Sequence, residues 1–458
     1  MSSFYVQNFG CRATQADGAA IERQFQEQGL HRAASSDNAQ VVVLNTCTVT
    51  ASADQDARAA IRRIHRNNPD AQIVVTGCYA QRAPEQIAAL LGVSQVIGNS
   101  HKHQLAEILQ PTFVPLSALR TENQEPRTNI FVSDIFAHTE LLAAPVFEAA
   151  NQRTRPNLKV QDGCDNRCSF CVIPSVRGQS RSLPLPKVVD EINTLVDAGY
   201  REVVISGINL GRWGRDFECP QRFEDMVRTI LSETSLEKLR VSSVEPMDWS
   251  EELIAVFASS SRIARHAHVP MQSGSDAVLR RMHRKYRPWH YRQKIEIIRD
   301  AMPNAAIGAD VMVGFPGETD AEFEETWRMI EGLPLTYLHV FTYSARPGTS
   351  AAGMNSQVQI NIARHRNQVL RELGEQKKLN FMRSFVGCDI EAITLNLTDV
   401  CHTEALTDNY LKLRLEGMHK PNQWLDATIL KVEDGGLVGV AHPQRECCSS
   451  QAKVFSLA

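Results

Sequence analysis

The first 105 residues alternate between short apolar runs and longer amphipathic stretches. Helical spacing is clearest in residues 18–28 and 52–66, which lie between the apolar runs. Alternating strands and helices are typical of a parallel sheet, so we predict an α/β domain over residues 1–105. Residues 106–156 lose this regularity and are predicted to be a linker with room for a strand or two. Three of the apolar runs end at a cysteine: SFYVQNFGC, VVVLNTC and IVVTGC.

A second alternating region covers residues 157–384 and repeats the strand–helix step. Six steps predict a partial (β/α)6 barrel of parallel strands, open on one side, in which the loops after the strands carry the chemistry. Its last helix is long and polar and spans residues 357–384. Residues 385–458 alternate as strands do, which predicts a small all-β barrel. The six barrel strands are predicted in NLKVQDGC, EVVISGINLG, KLRVSSVEP, HAHVPMQSG, IGADVMVGFPGE and YLHVFTYSARPG.

Composition places this chain among globular proteins. It has 458 residues, of which 43% are hydrophobic and 22% are charged, and its formal net charge is −3. No apolar run approaches the roughly 18 residues of a membrane span, and the N-terminus lacks the pattern of a signal peptide. We therefore expect a cytoplasmic protein without a membrane partner. Thiols stay reduced in that compartment, so the 11 cysteines indicate metal or cluster binding rather than disulfides.

Three cysteines follow the first barrel strand in the segment QDGCDNRCSFC. Cys164, Cys168 and Cys171 have spacings of four and three residues, which lets their thiolates ligate one face of a cubane cluster. Such clusters normally have four cysteine ligands, so a missing fourth ligand leaves one iron open for a small molecule. A zinc site is the competing interpretation, but zinc also requires four ligands, and no further Cys or His lies close by.

A second triad consists of Cys11, Cys47 and Cys78, one at the end of each N-terminal apolar run. In an open parallel sheet, the carboxyl ends of neighbouring strands share an edge where ligands bind. Cysteines in this repeated position therefore predict a second cluster with one open iron. Each of them alone could be a small buried side chain, since cysteine is often buried in that way. The other five cysteines share no such placement and are interpreted as structural or incidental.

With these residues in view, the chain resembles the radical S-adenosylmethionine methylthiotransferases. The resemblance covers nearly the whole length, as an N-terminal cluster domain, a radical barrel and a C-terminal TRAM domain. It implies two [4Fe–4S] clusters and S-adenosylmethionine as cofactors, with a reducing electron donor as a partner. One cluster cleaves S-adenosylmethionine to a radical that takes hydrogen from carbon 2 of a modified adenine, and the other supplies a methylated sulfur. The family's opening motif usually has Asn where this chain has Thr14.

The resemblance also suggests which residues bind S-adenosylmethionine. Phe170 matches the aromatic residue that precedes the last cysteine of the family's motif. Gly207 permits close approach of the ligand's methionine part, and Ser243 and Glu245 are placed to bond the ribose hydroxyls. Gln272 offers an amide for polar groups. Each of these residues could instead form a turn or cap a helix.

Within the family three substrates compete: threonylcarbamoyl-adenosine in tRNA, isopentenyl-adenosine in tRNA, and an aspartate of a ribosomal protein. The segments NTCTVT, TGCYAQ, ISGINLGRWG and MHRKY resemble the threonylcarbamoyl branch. We therefore predict methylthiolation of that nucleoside in the tRNA anticodon stem-loop. Its anionic substituent needs a cation, for which Arg12 and Arg177 are candidates. The alternative from a different class is a non-catalytic iron–sulfur protein that binds RNA, and no DNA partner is expected.

Two stretches of positive charge are candidates for contact with RNA. Residues 262–294 hold nine Lys or Arg against one acidic residue and interleave Tyr286, Trp289 and Tyr291. Four arginines lie at near-helical spacing in residues 58–66. A solvated helix face is the alternative for any such run of charge. The predicted TRAM-like barrel carries more acidic than basic residues and offers no basic surplus.

Overall fold

The computed structural model describes residues 3–109, 128–138, 141, 154–396 and 401–442. The chain divides into two compact units, Met1–Lys378 and Leu379–Ala458. Within the described ranges, no helix is both long enough and apolar enough to cross a membrane. Most of the predicted linker lies outside the described residues, as do two of the incidental cysteines. The predicted boundaries after residues 105, 156 and 384 stay predictions.

Six strands form the N-terminal sheet: β1 (Ser3–Asn8), β2 (His31–Arg32), β3 (Val41–Thr46), β4 (Gln72–Gly77), β5 (Val93–Ile97) and β6 (Asn129–Phe131). Their spatial order is β2-β1-β3-β4-β5-β6, and every pair is parallel, which confirms the predicted sheet. The last strand falls inside the predicted linker. Since β1, β3 and β4 are neighbours, the cysteines that follow them lie along one edge.

Five helices accompany these strands: α1 (Arg12–Glu27), α2 (Ala51–Asn67), α3 (Cys78–Arg82), α4 (Pro84–Ala88) and α5 (Leu105–Ile108). Successive side chains of a strand point to opposite faces of the sheet. Val43 therefore packs with Phe25 of α1, whereas Leu44 packs with Ile61 of α2. Burial on both faces explains why the central strands are continuous apolar runs.

Seven strands form the central barrel: β7 (Asn157–Asp162), β8 (Arg181–Ser182), β9 (Glu202–Gly207), β10 (Lys238–Val241), β11 (His266–His268), β12 (Ala306–Val313) and β13 (Tyr337–Thr342). All except the short β8 lie in the six predicted segments and pair in parallel. The sheets β10-β9-β7-β8 and β11-β12-β13 are joined by the bridges Leu239–Ile263 and Ser243–His268. The structure thus confirms a partial barrel of six parallel strands.

Eight helices follow the N-terminal sheet: α6 (Ile173–Arg177), α7 (Leu185–Asp197), α8 (Phe223–Glu233), α9 (Glu251–Ser259), α10 (Asp276–Arg281), α11 (Pro288–Ala301), α12 (Asp320–Gly332) and α13 (Ile360–Arg383). Val203 and Ile205 of β9 pack with Ile192 of α7 and Val227 of α8 in the core between strands and helices. The intervening strand residues point to the opposite face, which is the barrel interior. Many of those residues are polar or charged and buried.

The second unit contains a closed barrel of five strands: β14 (Asp389–Thr394), β15 (His402–Thr407), β16 (Lys412–Glu416), β17 (Trp424–Glu433) and β18 (Gly436–Ala441). Neighbouring strands are antiparallel except for β16 and β18. Leu413 and Leu415 of β16 pack with Ile429 and Leu437 in its core. This closed barrel confirms the small all-β fold that the sequence predicts.

Candidate functional site

The loop after β7 carries Cys164, Cys168 and Cys171, which we call the barrel triad. The backbone N–H of Cys171 donates to the carbonyl of Cys168 at 3.1 Å, so the loop folds back on itself. All three thiols are partly buried. Burial raises the pKa of Cys164 and raises that of Cys171 to about 12, and neighbouring sulfurs add to both effects. Because metal ligation requires thiolates, three such thiols in one loop fit an iron–sulfur cluster, whose iron would displace their protons.

Three hydrogen-bond donors point at the sulfur atoms of the barrel triad. The backbone N–H of Asn166 lies 3.4 Å from the Sγ of Cys164, and Nδ2 of Asn209 lies 3.6 Å from the same atom. Nη1 of Arg284 lies 3.3 Å from the Sγ of Cys168. Hydrogen bonds to sulfur tune the potential of a bound cluster. Asn209 and Arg284 could not be recognised as partners of these sulfurs from the sequence, because neither is near the cysteines along the chain.

Cys11, Cys47 and Cys78 form the sheet triad at the carboxyl edge of the N-terminal sheet. Cys11 precedes α1, Cys47 directly follows β3, and Cys78 begins α3. A Cβ atom on Gly10, whose φ is +90°, would lie 2.8 Å from the Sγ of Cys47, so glycine is required there. Burial raises the pKa of Cys47 to about 11, and the charges of the Cys78 and Cys11 sulfurs add to the effect. The three sulfurs are thus close enough to interact, as ligands of one cluster must be.

The two triads meet through a small apolar contact. Cys78 packs against Val172 and Val176, and Val172 directly follows Cys171. Asn99 links the same two regions, since its Nδ2 lies 3.6 Å from the Sγ of Cys78 and donates to the carbonyl of Val176 at 2.7 Å. The sheet triad therefore borders the barrel triad where α3 packs on α6.

A buried group of ion pairs, here called the seam network, joins α1 to β7 and α6. Asp17 of α1 accepts hydrogen bonds from Lys102 at 3.0 Å, from Arg177 at 2.9 Å, and from Lys159. Asp162 accepts from Arg177 at 2.8 Å and from Lys159 at 2.9 Å. Each of these five residues is at most 6% exposed. Burial alone would raise the pKa of both carboxyls, but the surrounding cations hold each pKa well below its usual range.

The seam network corrects the role that the sequence suggests for Arg177. Its Nη1 donates to both carboxylate oxygens of Asp162, at 2.8 and 2.9 Å, and its Nη2 donates to Asp17 at 2.9 Å. Both terminal nitrogens are thus bonded to anions that the chain itself supplies. The structure therefore argues against Arg177 as the partner of a substrate carboxylate, and indicates that it holds α1 against the barrel.

Arg12 remains a predicted substrate contact. It is half-buried at the start of α1, and its backbone carbonyl accepts a hydrogen bond from Nδ2 of Asn157 in β7 at 3.2 Å. Burial holds the pKa of His266 well below its usual range, and the nearby charges of Arg240 and Arg12 contribute. The Arg12 guanidinium therefore lies close to the polar interior of the barrel.

A second buried ion pair joins the N-terminal sheet to the far end of the barrel. Arg346, which follows β13, donates to Asp54 of α2 at 2.9 Å and to the carbonyl of Thr48 at 3.1 Å. Arg82 of α3 donates to the same carboxylate at 2.9 Å. Together with the seam network, this contact fixes the N-terminal sheet against the barrel at two separate points.

Gln272 has the backbone geometry of a ligand-binding position. Its φ is +63°, in the left-handed region that residues other than glycine rarely adopt. Its N–H donates to the carbonyl of Asp310 at 2.8 Å, and its own carbonyl accepts from Met312 at 2.9 Å, so β12 holds it in place. Residues held in such conformations cluster at ligand sites. Ser243 is half-buried on the neighbouring part of the barrel rim, where it forms a bridge to His268.

The positions of Glu245 and Gly207 are explained by neighbouring residues of the protein, an ion pair for Glu245 and a close contact for Gly207. Glu245 forms an ion pair with Arg284, whose guanidinium lies 4.9 Å from the ring centre of Tyr286. Burial raises the pKa of Glu245 above its usual value, although Arg284 opposes the effect. A Cβ atom on Gly207 would lie 2.9 Å from Oε1 of Gln161, so the neighbouring strand already explains the glycine.

Phe170 lies between Cys168 and Cys171 along the chain, and a cleft adjoins the same triad at Cys168. The half-buried ring of Phe170 meets Phe315 edge-on, with 6.4 Å between the ring centres. The cleft is lined by Cys168, Glu245 and Arg284 among other residues. Most of the residues that line this cleft are polar or charged, which suits S-adenosylmethionine, because that molecule carries a carboxylate, an amine and ribose hydroxyls. The five cofactor-binding roles stay predictions.

The basic stretch of residues 262–294 is buried in part, and its contact with RNA stays a prediction. Tyr286 and Tyr291 are 1% and 0% exposed. Arg262 donates to three backbone carbonyls, and Arg281 pairs with a glutamate of α12. Other cations of the stretch, Arg280, Lys285 and Arg292, are exposed, as is the ring of Trp289. The stretch in α2 also has three exposed arginines: Arg62, Arg63 and Arg66.

Two protein families match this chain. Uncharacterized protein family UPF0004 matches residues 3–98, and the Radical SAM superfamily matches residues 158–330. Among solved structures, the radical S-adenosylmethionine methyltransferase TsrM from Kitasatospora setae, with tryptophan substrate and a SAM analog bound, has a TM-score of 0.55 at 15% identity. The match covers 74% of this chain and 72% of that chain, and it shows the fold alone. The barrel and its family match together define a radical S-adenosylmethionine enzyme.

Comparison with related proteins shows which kind of radical S-adenosylmethionine enzyme the chain is. Threonylcarbamoyladenosine tRNA methylthiotransferase MtaB from Bacillus subtilis is 36% identical over 424 residues, which is 91% of each protein. The MtaB of Aquifex aeolicus is 34% identical over 414 residues, 90% of this chain and 96% of that one. A tRNA-2-methylthio-N(6)-dimethylallyladenosine synthase from Novosphingobium aromaticivorans is 33% identical over 397 residues, 85% of this chain and 86% of that one. The chain belongs to the radical S-adenosylmethionine methylthiotransferases, in the threonylcarbamoyladenosine branch.

Asp17→Asn should destabilise the protein, because it leaves three buried cations with a single carboxylate. Removing one partner of a buried ion pair typically costs about 3–5 kcal/mol. In a unit of this size, such a loss lowers the melting temperature by roughly 5 °C, which anaerobic differential scanning fluorimetry can measure. Asp56→Asn is the matched control, since Asp56 is exposed on α2. Equal melting temperatures for the two variants would show that the seam network adds nothing to stability.

Proposed function

We propose that this protein inserts a methylthio group at carbon 2 of N6-threonylcarbamoyladenosine, next to the anticodon of tRNA. The observation that carries the proposal is the contact between the two triads, in which Cys78 packs against Val172 beside Cys171. An enzyme that forms a radical at one cluster and transfers sulfur at another must bring both to one substrate atom. The relatives named for threonylcarbamoyladenosine support the choice of nucleoside.

Each triad is proposed to hold one [4Fe–4S] cluster through three thiolates, with one iron left open. When bound, the clusters and S-adenosylmethionine supply the radical cleavage and the sulfur, which no side chain could supply. The side chains of Asn209 and Arg284 donate hydrogen bonds to the sulfur ligands of the barrel triad. Asn99 is placed to do the same for Cys78 in the sheet triad.

The remaining residues of the site position the reacting groups and exclude water from them. The seam network and the Arg346–Asp54 pair hold the sheet triad in place against the barrel triad. This matters because transfer between two reacting groups depends on their alignment. Lys102 and Arg177 line one small cavity together with Asn99, the hydrogen-bond partner of Cys78. Buried positive charge at this place favours an anionic cluster on the sheet triad.

We further propose that the RNA partner is the anticodon stem-loop and that a reducing protein donates electrons. The exposed arginines of α2 and the exposed cations of residues 262–294 are the candidates for contact with the phosphate backbone. Arg12 is the candidate cation for the carboxylate of the threonylcarbamoyl group. Its place beside Cys11 and near the barrel interior supports this role.

Methylthiolation of isopentenyl-adenosine is the second candidate, and the relative named for the dimethylallyl nucleoside favours it. The two substituents differ in charge, because the threonylcarbamoyl group carries a carboxylate and the isopentenyl group is apolar. A cation at the site therefore discriminates between them. The non-catalytic alternative is disfavoured by membership of an enzyme family and by the cleft beside the barrel triad.

If the two triads bind separate clusters, replacing the cysteines of one triad should remove only the iron of that triad. After anaerobic reconstitution, the triple replacement of Cys164, Cys168 and Cys171 by Ala should leave about half of the wild-type iron, because the sheet triad is a separate ligand set. Colorimetric iron analysis measures this fraction. Cys219→Ala is the matched control, since Cys219 is an exposed cysteine outside both triads. Loss of all iron, or of none, in the triple variant would contradict two sites.

The sheet triad should be needed for sulfur transfer but not for radical formation. Cys47→Ala should still form 5′-deoxyadenosine from S-adenosylmethionine, because the barrel triad is intact, but should give no methylthio product. Liquid chromatography with mass spectrometry detects both compounds in one reaction. Cys219→Ala should give both of them. If Cys47→Ala still thiomethylates tRNA, the sheet triad does not have the proposed role.

Competition between two modified tRNAs tests the choice of nucleoside. The protein should prefer tRNA with N6-threonylcarbamoyladenosine over tRNA with isopentenyl-adenosine, because only the former offers an anion to Arg12. Nucleoside mass spectrometry after a reaction with both substrates gives the ratio of products. The same tRNAs without either modification serve as controls. A preference for the isopentenyl substrate would promote the second candidate.

A further inference from the structure

Three potential metal ligands meet inside the barrel, apart from the six cysteines. They come from three adjacent parallel strands: His268 from β11, Asp310 from β12 and His339 from β13. Asp310 lies directly opposite His339 in the register of β12 and β13. One ligand atom from each side chain lies within 4.8 Å of the other two. This set, here called the His–Asp–His cluster, combines two imidazoles and one carboxylate on one face of one sheet.

The two distances from Asp310 to the histidines match the edges of a coordination polyhedron, and the two histidine nitrogens lie within 4.8 Å of each other. Nε2 of His268 lies 3.0 Å from Oδ1 of Asp310, and Nδ1 of His339 lies 3.2 Å from the same oxygen. A cation bound at about 2.1 Å holds adjacent ligand atoms about 3.0 Å apart in an octahedron and about 3.4 Å apart in a tetrahedron. Both observed separations lie within that interval.

The orientation of His268 provides the second observation. Its side chain is 7% exposed, and among the described residues its Nε2 has no hydrogen-bond partner, although Oδ1 of Asp310 is only 3.0 Å away. The two atoms are therefore close but not aligned for a hydrogen bond. A buried polar atom without a partner is costly. A cation between the nitrogen lone pair and the carboxylate oxygen would satisfy both.

A tyrosine hydroxyl is placed to orient His268 for metal binding. The hydroxyl of Tyr337 lies 2.9 Å from Nδ1 of His268 and 2.7 Å from Nε2 of His266. A hydroxyl has one proton, so it can donate to His266 while it accepts from Nδ1–H of His268. That arrangement leaves the lone pair of Nε2 in His268 directed at the cluster. Histidine ligands commonly use their second nitrogen in this way.

We propose that His268, Asp310 and His339 bind one divalent first-row transition cation, such as Zn2+ or Fe2+, inside the barrel. Two imidazoles and a carboxylate are a known ligand set for these ions, and three protein ligands leave positions open for water or an oxygen donor. The side chain of His339 is 52% exposed, so a cation can enter the site. The cation is distinct from the iron of both triads, because it is bound through nitrogen and oxygen.

The test uses the full-length protein, loaded with its iron–sulfur clusters and kept under anaerobic conditions. Zinc chloride is added in competition with a chromophoric chelator, and bound zinc is counted per chain. We expect one Zn2+ in the wild type and at least about 100-fold weaker binding in His339→Gln and Asp310→Asn, since even residues one bond beyond the ligands typically contribute about 10- to 100-fold. His365→Gln, an exposed histidine of α13, is the matched control and should bind like the wild type.

X-ray absorption at the zinc edge distinguishes this site from zinc bound by exposed cysteines. The proposal requires two imidazole nitrogens and oxygen around the metal, with no sulfur. Equal zinc in the wild type and Asp310→Asn, or a sulfur-ligated metal, would overturn it. Iron–sulfur absorbance confirms that the variants are folded. His339→Gln is informative even if Asp310→Asn, at a half-buried position, is not stable. Absence of zinc from folded wild-type protein would also overturn the proposal and leave a hydrogen-bonded cluster.

Discussion

The arrangement of this molecule depends on one carboxylate, that of Asp17, which is 1% exposed and meets three cations. Charges removed from water are stable only if every partner is in position. The partners come from α6, from β7 and from the segment before α5, so α1 can dock on the barrel in one orientation only. That orientation decides where the sheet triad lies relative to the barrel triad, and it brings Cys78 against the residues that follow Cys171.

The polar interior of the barrel follows from the geometry of its strands. Side chains alternate between the helix-facing core and the interior, and the interior positions hold charged and polar groups. Such groups are tolerated because they pair with one another, as Arg240 does with Glu202 at 2.6 Å. A barrel built in this way can align a cofactor at its rim and keep polar ligands below it. Iron–sulfur and S-adenosylmethionine chemistry supplies the reactivity in this family, and the chain supplies alignment and exclusion of water.

Sequence patterns located the ligands of the candidate site better than its charged residues. The cysteines were predictable because each follows a strand, and parallel strands place their ends at a common edge. Arg177 was misinterpreted, because a sequence shows that a cation is present but not which anion it faces. Arg177 donates hydrogen bonds to Asp162 and Asp17, and Arg262 donates hydrogen bonds to backbone carbonyls. The donors Asn99, Asn209 and Arg284 had no sequence signal that connected them with a cysteine.

By itself the sequence determined the order of strands and helices, the three kinds of domain, the two cysteine triads and the family resemblance. These features are encoded locally, in the period of apolar residues and in spacings that span a few positions. Only the tertiary structure decided that Asp17 joins three distant cations, that Glu245 pairs with Arg284, and that His268, Asp310 and His339 meet in one place. These contacts join segments far apart along the chain, and their geometry exists only after the strands have taken their register and the sheet has docked on the barrel.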